Sequence, residues 1–191
     1  MSSTESGGDE MVAAVLDVLP RGRSDDDRPQ HRKEPLAYAL DVDEFYVYEL
    51  TLDDTEDIAF GDRIDLTEFG RVTEMEFDDL PPGARQELEY AVEEIVEANE
   101  RRFVDFYNEA QPITLRLHQL NLLSGIGKKL RNSILDERKR QPFESFEDLE
   151  ERVSGLHNPK EVLVNRILEE LRDDDLKYRT FVRRSEQGGD D

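Results

Sequence analysis

Cysteine and tryptophan are both absent from the 191 residues of this chain. Without thiols there are no disulfide staples and no thiolate metal sites, which fits a reducing compartment. Lysine is scarce: only six of the 25 basic residues are Lys, and the other nineteen are Arg. No apolar run approaches the roughly 20 residues that a membrane-spanning helix needs, so no membrane partner is expected. The first ten residues, MSSTESGGDE, put no basic segment ahead of an apolar stretch and do not read as a signal peptide. Residues 1–10 and 185–191 read as disordered tails. The expectation is a soluble, cytoplasmic protein.

Negative charge is abundant: 47 acidic residues give a formal net charge of -22, spread along the whole chain. Diffuse acidity with little lysine is the composition of cytosolic proteins from salt-accumulating archaea. In such cells the Debye length falls to about 3 Å at 1 M salt, so carboxylate repulsion is largely screened. A halophilic archaeal source is therefore expected. The alternative, an acidic surface that mimics nucleic acid, would require the carboxylates to gather on one face.

Residues 11–80 alternate between short apolar runs and polar turns. Met11–Leu19 ends at Pro20, and Leu36–Val42 and Phe45–Thr51 are joined by Asp43-Glu44 as a hairpin. A Gly-led turn opens the short strand in FGDRIDL, and Val72–Phe77 makes a fifth. Five short strands in this length suggest a small OB- or S1-like β-barrel. Phe45, Tyr46 and Tyr48 would either stack bases on a barrel face or pack its core. Pro81-Pro82-Gly83 marks the change to helix, and residues 81–110 read as a connector of one long helix or two end to end.

Residues 111–175 are helical and repeat: helix, glycine turn, helix, twice. Ile113–Leu123 is the first expected helix, Gly125-Ile126-Gly127 a tight turn, and Lys128–Arg140 the second helix. Ser145-Phe146-Glu147-Asp148 starts another helix as a capping box, and Ser154-Gly155-Leu156 turns again. Asn158 as N-cap and Pro159 at the first position open the last helix.

The first turn lies within a basic island. From Arg116 to Arg140 seven basic residues stand against two acidic ones, Asp136 and Glu137. A helix N-terminus offers unpaired amides and partial positive charge, and a Gly-x-Gly turn lets another backbone approach. Lys128, Lys129 and Arg131 follow in the first turn, where cations disfavour the helix unless an anion is present. The pattern predicts a phosphate seat at Ser124, Gly125, Ile126, Gly127, Lys128, Lys129 and Arg131. A sharp turn with solubilising lysines is the plainer alternative. Arg138, Lys139 and Arg140 are further candidates, as are Lys177, Tyr178 and Arg179 in a basic and aromatic arm, residues 176–184. That arm would either stack on bases or dock on the barrel.

LHQLNLLSGIGKKLRNSILDERKRQPFESFEDLEERVSGL resembles a tandem helix-hairpin-helix pair. NEAQPITLRLHQL, the Gly-Ile-Gly-Lys-Lys turn and PFESFEDLEERVSGLHNPKEVLVNRILEEL resemble the archaeal DUF655 family. The resemblance extends back through EEIVEANERRFVDFYNEAQ and RPQHRKEPLAYAL, and so covers most of the chain. It implies an OB-like N-terminal part, tandem helix-hairpin-helix motifs and a nucleic-acid-binding role. Ser124 stands where a Pro is usual, and the second hairpin, Gly155-Leu156-His157, lacks its second glycine, so it should pack and not bind.

His31, His118 and His157 have no metal-ligand spacing. Asp53, Asp54, Glu56 and Asp57 lack the glycine and spacing of a calcium loop. Neither a cofactor nor a metal is expected, and no catalytic arrangement is nameable. The fold expected is α+β: a barrel, a helical connector and an all-α tandem helix-hairpin-helix domain. The function expected is non-catalytic nucleic-acid binding in translation or RNA processing, with RNA favoured over DNA. One alternative is an adaptor docking on a ribosomal or RNA-polymerase protein. The other is a metal-dependent nuclease.

Overall fold

The computed structural model describes residues 10–53 and 57–182. The chain is α+β and divides into two compact units, the first running to Ala91 and the second spanning Val92–Val182. In the first unit all five expected strands form one antiparallel sheet. They are β1 (Val12–Leu19), β2 (Leu36–Asp41), β3 (Val47–Thr51), β4 (Arg63–Asp65) and β5 (Val72–Met75). The order is β4-β1-β2-β3-β5, with β4 and β5 at the two edges, so the sheet is open among the described residues.

Both faces of the central strands are covered. One packs Ala13, Ala37 and Ala39 with Leu50, Leu52 and Leu66. The β1–β2 register shifts between Val15 and Asp17, a bulge that raises the local twist. On the other face the Tyr38 hydroxyl donates to its cross-strand partner Glu49 at 2.7 Å. β2 and β3 form the expected hairpin, but β3 starts at Val47 and not at Phe45. Phe45 instead takes φ 61° inside a longer turn and is fully buried. Burial of the phenyl ring offsets a backbone cost of about 1–2 kcal/mol.

The apolar stripe of residues 84–110 resolves into two helices end to end, α1 (Pro82–Ala98) and α2 (Glu100–Glu109). Asn99 interrupts it, its side-chain amide donating to the Ile95 carbonyl at 2.8 Å in competition with the helical ladder. α3 (Lys128–Arg140), α4 (Phe146–Arg152) and α5 (Pro159–Arg172) follow. Ser145 caps α4 as expected, its hydroxyl accepting from the Asp148 amide at 3.0 Å.

Two expected details are corrected. Ile113–Leu123 is not an α-helix: only Gln119–Leu122 is helical, and as a 3-10 turn. Pro112 and His118 form an antiparallel bridge. Between them the Thr114 hydroxyl accepts from the Arg116 and Leu117 amides at 3.2 and 3.0 Å. Proline and this local threonine turn win over the apolar spacing. Asn158 does occupy the N-cap position of α5, but in the left-handed region (φ 49°) and without a side-chain capping bond.

Polar contacts between elements fix the second unit. Tyr107 donates its hydroxyl to the Pro159 carbonyl at 2.8 Å. Asn108 both accepts from the Phe143 amide and donates to the Phe143 carbonyl. Arg152 of α4 donates to the Glu137 and Gln141 carbonyls at 2.8 and 2.7 Å, closing the C-terminus of α3.

Candidate functional site

The first glycine turn joins the 3-10 segment to α3. Gly125 takes φ +83°, where a side chain is strained, while the buried Ile126 anchors the turn and donates its amide to the Leu123 carbonyl at 3.2 Å. Gly127 is the N-cap of α3, and its carbonyl accepts the first helical bond from Arg131 at 2.9 Å. The amides of Gly125, Gly127, Lys128, Lys129 and Leu130 donate to no acceptor among the described residues.

The two glycines serve different ends. Gly127 is extended (φ -87°, ψ -168°), a conformation open to any residue. A Cβ placed on it would meet nothing within 4 Å. Neither backbone strain nor internal packing therefore calls for glycine there. What its missing side chain provides is unobstructed access to the amides behind it.

Asn121 holds this turn in place. Its Oδ1 accepts from the His118 amide and from Arg131 Nη1, both at 3.1 Å, and its Nδ2 donates to the Ile126 carbonyl at 3.2 Å. His118 closes the same network, Nδ1 accepting from the Leu120 amide at 3.1 Å. Burial, with Arg138 and Arg131 adding to it, holds the His118 imidazole below its ordinary pKa, so it stays neutral and able to accept. Residues Asn121–Gly127, with Arg166 and Glu169, border a shallow groove of about 550 Å³.

The basic island separates into two groups. Lys128 and Lys129 are exposed and make no ion pair among the described residues. Lys139 is likewise exposed, and Arg140 pairs with Glu137 at 3.4 Å. Arg131 is engaged with Asn121. Arg138 donates to the Tyr107 and Ala110 carbonyls at 3.2 and 2.9 Å, closing the end of α2, and burial lowers its pKa. The turn thus brings together Ser124, Gly125, Ile126, Gly127, Lys128 and Lys129, with Arg131 held by Asn121 and Arg138 engaged at the end of α2.

The arm packs on the helices of its own unit. Glu170 Oε1 accepts from the Thr180, Phe181 and Val182 amides at 2.7, 2.9 and 3.2 Å. Arg179 donates to the Glu170 and Asp173 carbonyls, and the Phe181 ring lies 4.9 Å from that of Phe106. The Lys177 ammonium sits 5.3 Å from the Tyr178 ring centroid. Arg183 and Arg184 lie outside the described residues. In the first unit, Phe45 lies in the turn before β3, is buried and cannot stack on a base. Tyr46 and Tyr48 are half-buried, and burial pushes the Tyr48 hydroxyl up to about 12.

The second turn repeats the first only in part. Gly155 takes φ +92° and Leu156 donates to the Val153 carbonyl at 3.2 Å, as Ile126 does to Leu123. An extra residue then precedes α5, Pro159 brings no N–H, and the Glu150 carboxylate accepts from the Asn158 amide at 3.3 Å. This turn is already filled by the protein's own carboxylate. Of the acidic loop, Asp54 and Glu56 lie outside the described residues. Among the described residues no three His, Asp or Glu side chains are placed to hold a metal ion. Nor is any helix among them long and apolar enough to cross a membrane.

Sequence reasoning passed over Asn121, Arg166 and Glu170. Asn121 lies three residues after His118, the spacing of a capping box. Arg166 and Glu170 stand four apart on α5, the spacing of a helical ion pair, and their contact is 3.0 Å.

Comparison with known proteins gives one consistent family. The model for DUF655, a protein family of unknown function, matches residues 9–183. An uncharacterised protein of Methanocaldococcus jannaschii is 40% identical over 181 residues, 91% of this chain and 80% of that protein. The crystal structure of a DUF655 protein from Archaeoglobus fulgidus is 38% identical, with a TM-score of 0.83 over 91% of this chain and 100% of that one.

Proposed function

The chain belongs to the DUF655 family, and we propose that it is a non-catalytic nucleic-acid-binding protein that grips phosphate through the Gly125–Lys129 turn. One observation carries the proposal: a set of unpaired amides at the N-terminus of α3 stands behind a glycine that neither conformation nor packing requires. Lys128 and Lys129, unpaired among the described residues, flank it where cations oppose the helix dipole. A bound anion resolves that conflict, since amides and dipole both favour negative charge.

In this reading the second unit is a tandem helix-hairpin-helix module with one working turn. We read the five-stranded antiparallel sheet, ordered β4-β1-β2-β3-β5, as an opened relative of an OB-like barrel. RNA is preferred to DNA because OB-like sheets commonly take single strands, an argument from fold analogy. A role in translation or RNA processing in the cytoplasm follows from that preference. The composition supports a halophilic source, so binding at working salt rests on short hydrogen bonds more than on counterion release.

The test is binding of short single- and double-stranded RNA and DNA at about 0.2 M and about 2 M KCl. Wild type is compared with a Gly127→Asp, Lys128→Glu, Lys129→Glu variant whose fold is verified by circular dichroism. Loss of binding in the folded variant is expected. Absence of binding by wild type at both salts would overturn the proposal and favour a protein partner. Divalent-metal-dependent cleavage would instead make it a nuclease.

A further inference from the structure

The segment between α2 and the 3-10 turn is short, hydrogen-bonded within itself and carries an exposed apolar side chain at its tip. Pro112 and His118 form a bridge across its base. Above it the Ile113 and Thr114 amides both donate to the Leu117 carbonyl, at 2.8 and 3.0 Å. The Thr114 hydroxyl accepts the next two amides, from Arg116 and Leu117. At the tip stands Leu115, at 106% relative exposure the most exposed large hydrophobic residue described. A lone exposed leucine on a loose loop carries no message. This one sits on a loop whose polar groups are tied down, so the ordering cost of presenting it is already met.

The base of the loop is bonded to the phosphate seat. His118, which closes the bridge, donates its amide to Asn121, and Asn121 donates to the Ile126 carbonyl inside the turn. Tip, base and seat therefore form one hydrogen-bonded piece of the second unit. The neighbour of Leu115 is Arg116, exposed and without an ion pair among the described residues. In so acidic a chain an apolar tip beside an unpaired cation suits a polyanion with apolar faces better than an acidic-patch protein surface.

We propose that Leu115 is a wedge that packs against or between nucleobases of a strand whose backbone is held at Gly125–Lys129, with Arg116 on the adjoining phosphate. This rests on the function proposed above and extends it from the backbone to the bases. An apolar side chain reaches bases only where they are unstacked, or at steps that open easily. The ligand class is accordingly a single strand, a bulge or a loop, and not a regular duplex.

The experiment uses the full chain and a labelled single-stranded RNA of about 12 nucleotides carrying 2-aminopurine, with a matched duplex alongside. Leu115→Ala and Leu115→Met are compared with wild type and with Lys128→Glu. Leu115→Ala should weaken single-strand binding about tenfold, the loss expected for one buried leucine side chain. The dependence of affinity on salt should not change, because no phosphate contact is lost. Leu115→Met should bind as wild type does, and the 2-aminopurine emission change seen with wild type should vanish in Leu115→Ala. Lys128→Glu should do the reverse, flattening the salt dependence while the emission change persists in the bound fraction. Unchanged affinity and emission in Leu115→Ala, with Lys128→Glu still impaired, would overturn the wedge and leave the seat standing. Absence of binding by wild type to either probe would overturn both.

Discussion

Replacing Glu170 by alanine removes four hydrogen bonds at a site that is 1% exposed. One carboxylate oxygen faces Arg166 Nε at 3.0 Å, and the other accepts three successive backbone amides, Thr180 to Val182. Arg166, itself 7% exposed, would keep its bonds to the Tyr178 and Leu122 carbonyls and its 3.4 Å contact with the exposed Glu169 carboxylate, but lose its buried counter-charge. Removing one partner of a buried ion pair costs about 3–5 kcal/mol. The upper end does not apply in full, because the freed amides can recover water if the 176–182 segment lifts away. We expect a loss of about 3–4 kcal/mol on that basis, together with release of the Phe181 ring from Phe106. Glu170→Gln keeps an acceptor for the amides but turns an NH2 towards Arg166, and should lose about 2 kcal/mol. Urea unfolding gives the free energies, and amide hydrogen exchange at Thr180, Phe181 and Val182 reports the clasp directly. A Glu170→Ala protein within about 1 kcal/mol of wild type, its three amides still protected, would refute the reasoning.

Gly125 and Gly127 should separate cleanly. Gly125→Ala forces a side chain to φ +83° and should cost about 1–2 kcal/mol in thermal or urea unfolding. Gly127→Ala should leave stability within about 0.5 kcal/mol, since a better-restrained unfolded chain offsets a poorer N-cap, yet weaken RNA binding severalfold. Equal stability losses in both variants would contradict this account of the turn. For His118 the folded pKa lies below the unfolded value, so the unfolded chain takes up the proton first. Its contribution is complete above about 6.5 and is lost as pH falls from there through the lowered folded value. His118→Asn, which can cap without titrating, should lose less stability than wild type between about pH 7 and 5. Parallel curves from urea midpoints would exclude the histidine as the cause.

Most elements were legible because local signals and burial agreed. Ser145, Gly125 and the 128–140 periodicity each had one local meaning, and the structure follows them. Ile113–Leu123 was misleading because its apolar spacing is helical while Pro112 and Thr114 favour a turn, whose hydrogen bonds are made locally. Phe45 was placed in a strand because its φ of 61° is set by ring burial, which no neighbouring residue announces. The candidate seat was legible from glycine spacing and charge, but its internal brace was not. Asn121 contacts Arg131 ten residues on, and Arg166 reaches Leu122 from α5. Contacts of that range leave no periodic trace. Likewise Arg131 and Arg138 read as free cations until their carbonyl and amide partners are seen.

The central claim is that the open amides at the start of α3 hold a phosphate backbone. Titration of the ¹⁵N-labelled protein with single-stranded RNA, followed by amide chemical shifts, tests it at the atoms concerned. The account predicts large, saturating shifts at Gly125, Gly127, Lys128, Lys129 and Leu130, with the Gly155–Lys160 turn unmoved. Shifts confined to other surfaces, or the same shifts on addition of an unrelated salt at equal ionic strength, would contradict it.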